Sequence, residues 1–389
     1  MLPPQEAGGR LLERLAAALD GSGPAILPLE ADLPAGRLAR FLDEFSPEAV
    51  ETADGIAPRP GGRPVHEKTA VVIATSGSTG RPKGVELSAA ALTYSARASL
   101  DRIGAAPGDR WLLCLPATHV AGIQVLVRSL VAGTEPVVAE HLSPATAAGC
   151  AHVSIVPAQL RRLLGEGSLA WADTFASVLL GGAAAGAGLI AAARDAGVPV
   201  ITTYGMSETC GGCVYDGLPL DGVAVSADGD GRIRITGPVL FSAYRLRPDL
   251  TAAAFDDGWF RTSDLGVLDA SGHVTVRGRA DEVINTGGEK VVAGEVASVL
   301  ETCPGVREAV VVGRLDEEWG ERVTAVIVPD NSAQPPTLDL LSRHVRERLP
   351  RYAAPRELVL LDALPMLPSG KPDLEILRRE QSPAENVTR

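Results

Sequence analysis

Between residues 71 and 205 short apolar runs alternate with stretches of helical period, and this alternation restricts the fold more than any other feature of the chain. The runs at 71–74, 111–115, 153–156, 178–180 and 198–202 read as buried strands. Between them, 89–103, opened by Ser88 as an N-cap, and 160–164 read as helices. Strands alternating with helices imply βαβ units and a mainly parallel sheet. From about 223 to 278 the sequence becomes rich in Gly and Asp, with short alternating runs at 232–236 and 273–276 that predict a β-subdomain. A turn-rich segment follows Arg279 and leads into a compact α+β pattern. Strands are expected there at 308–313, 323–328 and 357–361, with a helix whose stripe is Leu338, Leu341, Val345 and Leu349 behind Thr337 as cap. The expected fold class is α/β. A large N-terminal domain of parallel αβ layers plus a β-subdomain spans 1–280, and a small α+β C-terminal domain spans 281–389. The boundary lies near 279–282, and a polar tail after Glu380 is expected to fray.

With 389 residues the chain exceeds one ordinary core, in keeping with two domains. Its 46% hydrophobic and 22% charged residues describe a well-buried globular protein. A formal charge of −12 argues against nucleic acid or an anionic membrane surface as partner, while leaving room for a small cationic pocket. The N-terminus lacks the basic start and apolar run of a signal peptide. The apolar stretches 111–127 and 179–193 are too interrupted to read as transmembrane helices, so no stable membrane association is expected. Five cysteines in so long a chain suggest a reducing compartment, and the cytoplasm is the plain reading. Arginine fills nearly every basic position. Only Lys68, Lys83, Lys290 and Lys371 are lysine, and three of these four lie in glycine-rich motifs where a compact ammonium suits phosphate or acyl chemistry.

The first of those motifs is Thr75-Ser76-Gly77-Ser78-Thr79-Gly80-Arg81-Pro82-Lys83-Gly84. Following an apolar strand and preceding a helix, its hydroxyls and backbone amides can wrap an anion. It is not a Walker A loop, because Pro82 stands where that pattern needs Gly and the glycine follows the lysine. Cys210-Gly211-Gly212-Cys213 could in principle be redox-active or half a zinc site. No second Cys/His pair completes it, and lining a pocket is the favoured role.

The glycine-rich loop resembles the phosphate-binding signature of the adenylate-forming superfamily, which includes acyl-CoA synthetases. Further segments match that family in order. Gly181-Gly182-Ala183 stands where the adenine-binding strand end belongs, and Tyr204-Gly205-Met206-Ser207-Glu208-Thr209 resembles the adenylate-site motif. The stretch 259–266 around Asp264 resembles the ribose-binding strand. Arg279-Ala280-Asp281-Glu282 with Gly287-Gly288-Glu289-Lys290 resembles the hinge and the loop after it, and Pro368-Ser369-Gly370-Lys371 resembles the catalytic-lysine loop.

The resemblance implies ATP, Mg²⁺ and coenzyme A, and an acyl-adenylate that becomes a CoA thioester. It implies ATP contacts from Thr75, Ser76, Gly77, Ser78, Thr79, Gly80, Lys83, Gly182, Ala183, Tyr204, Gly205, Ser207, Asp264 and Arg279. Glu208 would hold Mg²⁺, which favours hard oxygen ligands, and Lys371 would stabilise developing charge. Gly287 and Gly288 would meet CoA. Asp281 would be the hinge of a mobile C-terminal domain.

Around 115–122 the sequence resembles the family's acyl gate, and the nearest likeness is to o-succinylbenzoate–CoA ligases of menaquinone biosynthesis. The expected partner is thus a small aromatic carboxylic acid, met by His119, Arg128, Gly205 and Cys210. His119 counts also as a catalytic candidate, and Arg128 would pair with the second carboxylate. Other aryl- or fatty-acyl-CoA ligases, and enzymes that load a carrier protein, share the same catalytic set. A homodimer is left open. Two departures from the pattern stand out: the glycine-rich loop comes early, and Pro372 follows the catalytic lysine.

Overall fold

In the computed structural model, which describes residues 4–75, 81–165, 171–367 and 371–379, the expected parallel layer forms around three buried strands and a half-buried fourth. Trp111–Leu113, His152–Ile155, Ser177–Leu180 and Val200–Met206 pair in parallel in that spatial order, with Val137–Val138 beside the first. Beyond Val200–Met206 the sheet turns antiparallel, as Gly211–Tyr215 folds back on it and Leu218–Pro219 forms the edge. The helices Ala89–Ile103 and Val120–Ala132 share one core with this sheet, through Leu92, Ala96, Ile123, Leu126, Trp111 and Leu179. The first of these helices has the expected bounds. Ser88 Oγ accepts from Ala91 N at 3.1 Å, and Gly104 ends the helix at φ +65°, a left-handed conformation that costs glycine little.

Two local expectations change. The run at 71–74 does not join the parallel sheet. Thr69–Thr75 pairs antiparallel with Lys83–Ser88, which pairs in turn with Ala243–Tyr244. The glycine-rich motif therefore connects two antiparallel strands, and the helix starts only after the second of them. The second change concerns 198–202. The strand runs from Val200 to Met206 because Thr203–Met206 finds hydrogen-bond partners along Gly211–Tyr215. The adenylate-site motif thus begins on a strand.

By contact the chain separates into two compact units, Met1–Gly182 with Ala196–Val225 and Ile235–Arg261, and Ala183–Asp195 with Ser226–Arg234 and Thr262–Arg389. The expected β-rich region appears as short strands with burial of period two, notably Arg232–Thr236 and Trp259–Leu268. In the second unit Val306–Asp316 and Gly320–Pro329 form a long antiparallel pair. Glu357–Leu360 adds in parallel, and the hairpin of Val283–Thr286 with Glu289–Val292 extends the sheet. Leu341 and Val345 of the helix Leu338–Arg346 are buried against it, behind Thr337, whose Oγ1 accepts from Leu340 N. Among the described residues no helix is long and apolar enough to cross a membrane.

Candidate active site

The first unit encloses a cavity of about 100 Å³ at the end of the parallel sheet. Its construction follows from small residues where two strands meet. Gly205 faces Gly212 across the antiparallel pair, and a Cβ on Gly205 would lie 2.0 Å from Gly211 O. A Cβ on Gly181 would meet Thr203 Oγ1 at 2.2 Å. No side chain fits at either point, so the backbone itself forms the wall. Cys210, at φ +52°, makes the turn between the strands and is fully buried against the cavity.

The opposite wall is helical. Ala121, Gln124 and Arg128 of Val120–Ala132 line the cavity at spacings of three and four, one face of a helix. His119, the N-cap residue of that helix, is not among the lining residues. Nine residues of helix make two and a half turns, so His119 and Arg128, both expected to meet the acid, do not share a face, and the lining face runs from Ala121 through Gln124 to Arg128.

Arg128 is 4% exposed. Its Nε donates to Gln124 O at 3.0 Å, Nη1 to Ser99 Oγ at 3.2 Å and Nη2 to Ser154 Oγ at 3.1 Å, and the guanidinium lies 4.1 Å from the Trp111 ring centroid. Tyr215 completes the group, its hydroxyl 2.7 Å from Ser99 Oγ. Among the described residues none of the ion pairs involves Arg128. Burial lowers its affinity for its proton, with the Tyr215 phenol opposing, yet an arginine starts too high to become neutral. A buried cation held only by neutral groups is poised to receive an anion.

A second cluster in the same unit gathers around Glu208, which stands in the single turn Ser207–Thr209 after the strand. Glu208 Oε1 accepts from Tyr244 Oη at 2.8 Å, and Lys83 Nζ lies 5.2 Å from the Tyr244 ring centroid. Two predicted residues from distant motifs, Lys83 and Glu208, thus converge on one tyrosine that sequence reasoning missed. A lone tyrosine in a β-rich stretch carries no signal by itself. Thr75 closes the near end of the loop, its Oγ1 donating to Lys83 O at 3.3 Å. Ser76, Gly77, Ser78, Thr79 and Gly80 lie outside the described residues. Thr203 and Gly205 line the cavity, so Tyr204 between them is directed to the other face of the strand.

In the second unit Asp264 and Arg279 are directly opposite on paired strands, with Arg279 Nη1 3.5 Å from Asp264 Oδ1. Arg279 also donates twice to Asp281, at 2.9 and 2.8 Å, and its Nε approaches Glu282 at 3.6 Å. Burial pushes the Asp281 carboxyl up, but the hydrogen bonds and charge of Arg279 outweigh it and hold the group below its ordinary value. Glu282 goes the other way, because its burial exceeds the help of the same cation. Gly287 and Gly288 are the two central residues of the Thr286–Glu289 hairpin turn, at φ +60° and +83°, which is the turn that requires positive φ twice. Gly287 packs so closely on Trp319 that a Cβ would lie 2.7 Å from the ring, whereas Gly288 faces open space. Ala183 belongs to this unit's segment Ala183–Asp195. Lys371 is exposed, and its flanks are tied together. Leu367 N donates to Lys371 O at 2.8 Å, Met366 bridges Pro372, and Asp373 N donates to Pro365 O. Pro368, Ser369 and Gly370 lie outside the described residues.

The C-x-x-C pair is wholly buried. Burial raises both thiols, Cys213 to about 12, which disfavours the thiolate.

Sequence comparison matches residues 24–243 to AMP-binding enzymes and residues 295–371 to the AMP-binding enzyme C-terminal domain. A probable 2-succinylbenzoate–CoA ligase of Mycobacterium tuberculosis (strain CDC 1551 / Oshkosh) is 45% identical over 337 residues, covering 82% of this chain and 86% of the relative. The 2-succinylbenzoate–CoA ligase of Geobacillus kaustophilus (strain HTA426) is 33% identical over 406 residues, 96% of this chain and 78% of its own. Among solved structures, o-succinylbenzoate CoA synthetase from Bacillus subtilis, in complex with its acyl-adenylate intermediate, aligns with a TM-score of 0.73 at 28% identity, covering 95% of this chain and 81% of that one. ATP-bound MatB from Rhodopseudomonas palustris, with a TM-score of 0.81 at 24% identity over 94% of this chain and 86% of that one, shares the fold.

Proposed function

The chain belongs to the AMP-binding enzyme family, and from that premise we propose that it joins 2-succinylbenzoate to coenzyme A, splitting ATP to AMP and pyrophosphate. It is an AMP-forming acid–thiol ligase. A carboxylate oxygen of the acid attacks the α-phosphorus and pyrophosphate leaves. The CoA sulfur then attacks the acyl carbon of the adenylate and AMP leaves.

The observation that carries the choice of acid is Arg128. A substrate with two carboxylates presents one to ATP and must bury the other. The Arg128 guanidinium, backed by Ser99, Ser154 and Tyr215, offers a charge-assisted partner at the cavity wall. Gly205, Gly211 and Gly212 make the facing wall of backbone, where no side chain fits at Gly205, and a flat ring would lie against it. Tyr204, on the other face of the same strand, suits the adenine by stacking. Asp264 would accept from the ribose hydroxyls with Arg279 beside it, and the loop 75–80 with Lys83 would hold the phosphates.

Magnesium usually enters on substrate phosphates, keeps several waters and needs only one or two carboxylates. Glu208 offers such a carboxylate in a partly buried turn, and among the described residues no dedicated cage of three or more ligands competes with it. Bound there, the ion would neutralise triphosphate charge. Lys371 would stabilise charge at the α-phosphate, and Gly288, on the open side of its turn, would admit the CoA chain.

The test is CoA-dependent AMP release across a panel of carboxylic acids. The expected result is rapid turnover of 2-succinylbenzoate with thioester formed. Faster turnover of fatty or simple benzoic acids would overturn the substrate, and AMP formation without a CoA thioester would point to a carrier protein as acceptor.

A hinge at Asp281 gives a second expectation. Asp281→Pro, which restricts φ, should spare adenylation and slow thioester formation from supplied acyl-adenylate. Asp281→Asn keeps the backbone free and should behave like the parent in the second step. Equal loss in both variants would mean that the ion pair with Arg279 matters and the hinge lies elsewhere.

A further inference from the structure

Three segments far apart in sequence meet at Tyr244. Its backbone is held in the strand Ala243–Tyr244, opposite Val85 of Lys83–Ser88, and Tyr244 N donates to Thr251 Oγ1 at 2.9 Å. Its ring packs on Phe241, 4.8 Å between centroids, and Phe241 in turn packs on Phe255 and Phe260. Tyr244 is 8% exposed, so little freedom is left to its side chain. From this fixed seat the hydroxyl reaches Glu208 Oε1 at 2.8 Å while the ring face carries Lys83 Nζ at 5.2 Å. The turn that bears Glu208 is tied to the same segment a second time, by Phe241 N donating to Glu208 O at 2.8 Å.

The direction of the Tyr244–Glu208 bond is settled by chemistry. Tyr244 Oη lies 2.8 Å from Glu208 Oε1, and of the two groups the phenol is the one with an O–H to donate. An ionised glutamate can only accept. One oxygen of Glu208 is therefore committed to Tyr244, which fixes the carboxylate plane and leaves the second oxygen to face a cation. The same ring holds the Lys83 ammonium by its negative face. Lys83 and Glu208 carry opposite charge, and nothing in their sequence spacing keeps them at a set separation. Tyr244 supplies that separation.

We propose that Tyr244 is a positioning residue for MgATP, setting the orientation of Glu208 and the place of Lys83 through one hydroxyl and one ring. The inference rests on the reading of Glu208 and Lys83 as triphosphate-site groups. It makes no use of the identity of the acid.

The test is binding, read by calorimetry on the full chain, with ATP titrated in the presence of Mg²⁺ and again in EDTA. Tyr244→Phe keeps the ring and its packing and removes only the hydroxyl. A hydrogen bond to a charged group is lost, so MgATP should bind about tenfold more weakly, with ATP in EDTA nearly unchanged. In a Glu208→Gln background the added Tyr244→Phe change should have little further effect, because both act through one carboxylate. Tyr244→Leu, which also removes the ring, should weaken ATP in EDTA as well through Lys83. Unchanged MgATP affinity in Tyr244→Phe, or an equal loss with and without Mg²⁺, would overturn the proposal. An enzyme that binds MgATP in this pattern yet makes no AMP with 2-succinylbenzoate would refute the proposed substrate and leave the role of Tyr244 standing.

Discussion

Arg128→Leu is expected to lower kcat/KM for 2-succinylbenzoate by roughly two to three orders of magnitude while the KM for ATP barely moves. Removing a charge-assisted partner from a bound carboxylate costs roughly 2–5 kcal/mol, much of it from leaving the anion unpaired in an apolar site. The net charge of −12 repels a dianionic acid at long range, so the compensation must be local. The surroundings of Arg128 add a prediction that the sequence does not contain. Its partners are the Gln124 carbonyl, two serine hydroxyls and the Trp111 ring, all neutral. Deleting the guanidinium leaves no orphaned carboxylate behind, so the thermal midpoint should hold or rise even as the acid stops binding. A mono-carboxylate analogue should be indifferent to the change. If the analogue and 2-succinylbenzoate suffer alike, or if the variant unfolds at much lower temperature, Arg128 supports the core and another group reads the second carboxylate.

Lys371→Ala should abolish adenylation yet largely spare thioester formation from supplied acyl-adenylate. Loss of one donor that stabilises charge in the transition state costs on the order of 3 kcal/mol, a hundredfold or more in rate. The lysine is exposed, and its main chain is anchored by Leu367 N and by the Met366–Pro372 bridge. Truncating the side chain therefore removes a charge with little effect on stability. Pro372 is part of that anchor: it cannot donate, and the bridge is closed by Leu367 N and Asp373 N instead. Pyrophosphate–ATP exchange and thioester formation, measured separately, decide the matter. Equal damage to both half-reactions would show that Lys371 acts as a structural residue or serves both steps.

Much of this was legible in the sequence because it is local. The runs around Trp111, Val153 and Val178 are apolar on both faces, and only a covered strand tolerates that. Ser88 and Thr337 announced their helices because a hydroxyl at that position satisfies the first free amide whatever surrounds it. The segment after Arg279 was expected to be rich in turns, and Gly287 and Gly288 form one of them at positive φ, which is strained for any side chain. The motif residues Lys83, Glu208 and Lys371 stand out for the same local reason, in glycine-rich or hydroxyl-rich settings.

What the sequence could not decide depends on partners distant in the chain. Whether the run after Lys83 opens a helix or pairs as a strand turned on Thr69–Thr75 and Ala243–Tyr244, the latter about 160 residues away, offering hydrogen bonds to Lys83–Ser88. Arg128 could have been a surface charge on a helix. It is a buried cation only because Ser99, Ser154 and Trp111 come from three other elements to hold it. Tyr244 had no signature at all, since a hydroxyl becomes meaningful only when folding brings a carboxylate within 2.8 Å of it. Backbone preference and capping act over a few residues and survive in the sequence. Burial and charge pairing are sums over neighbours that only the tertiary structure assembles.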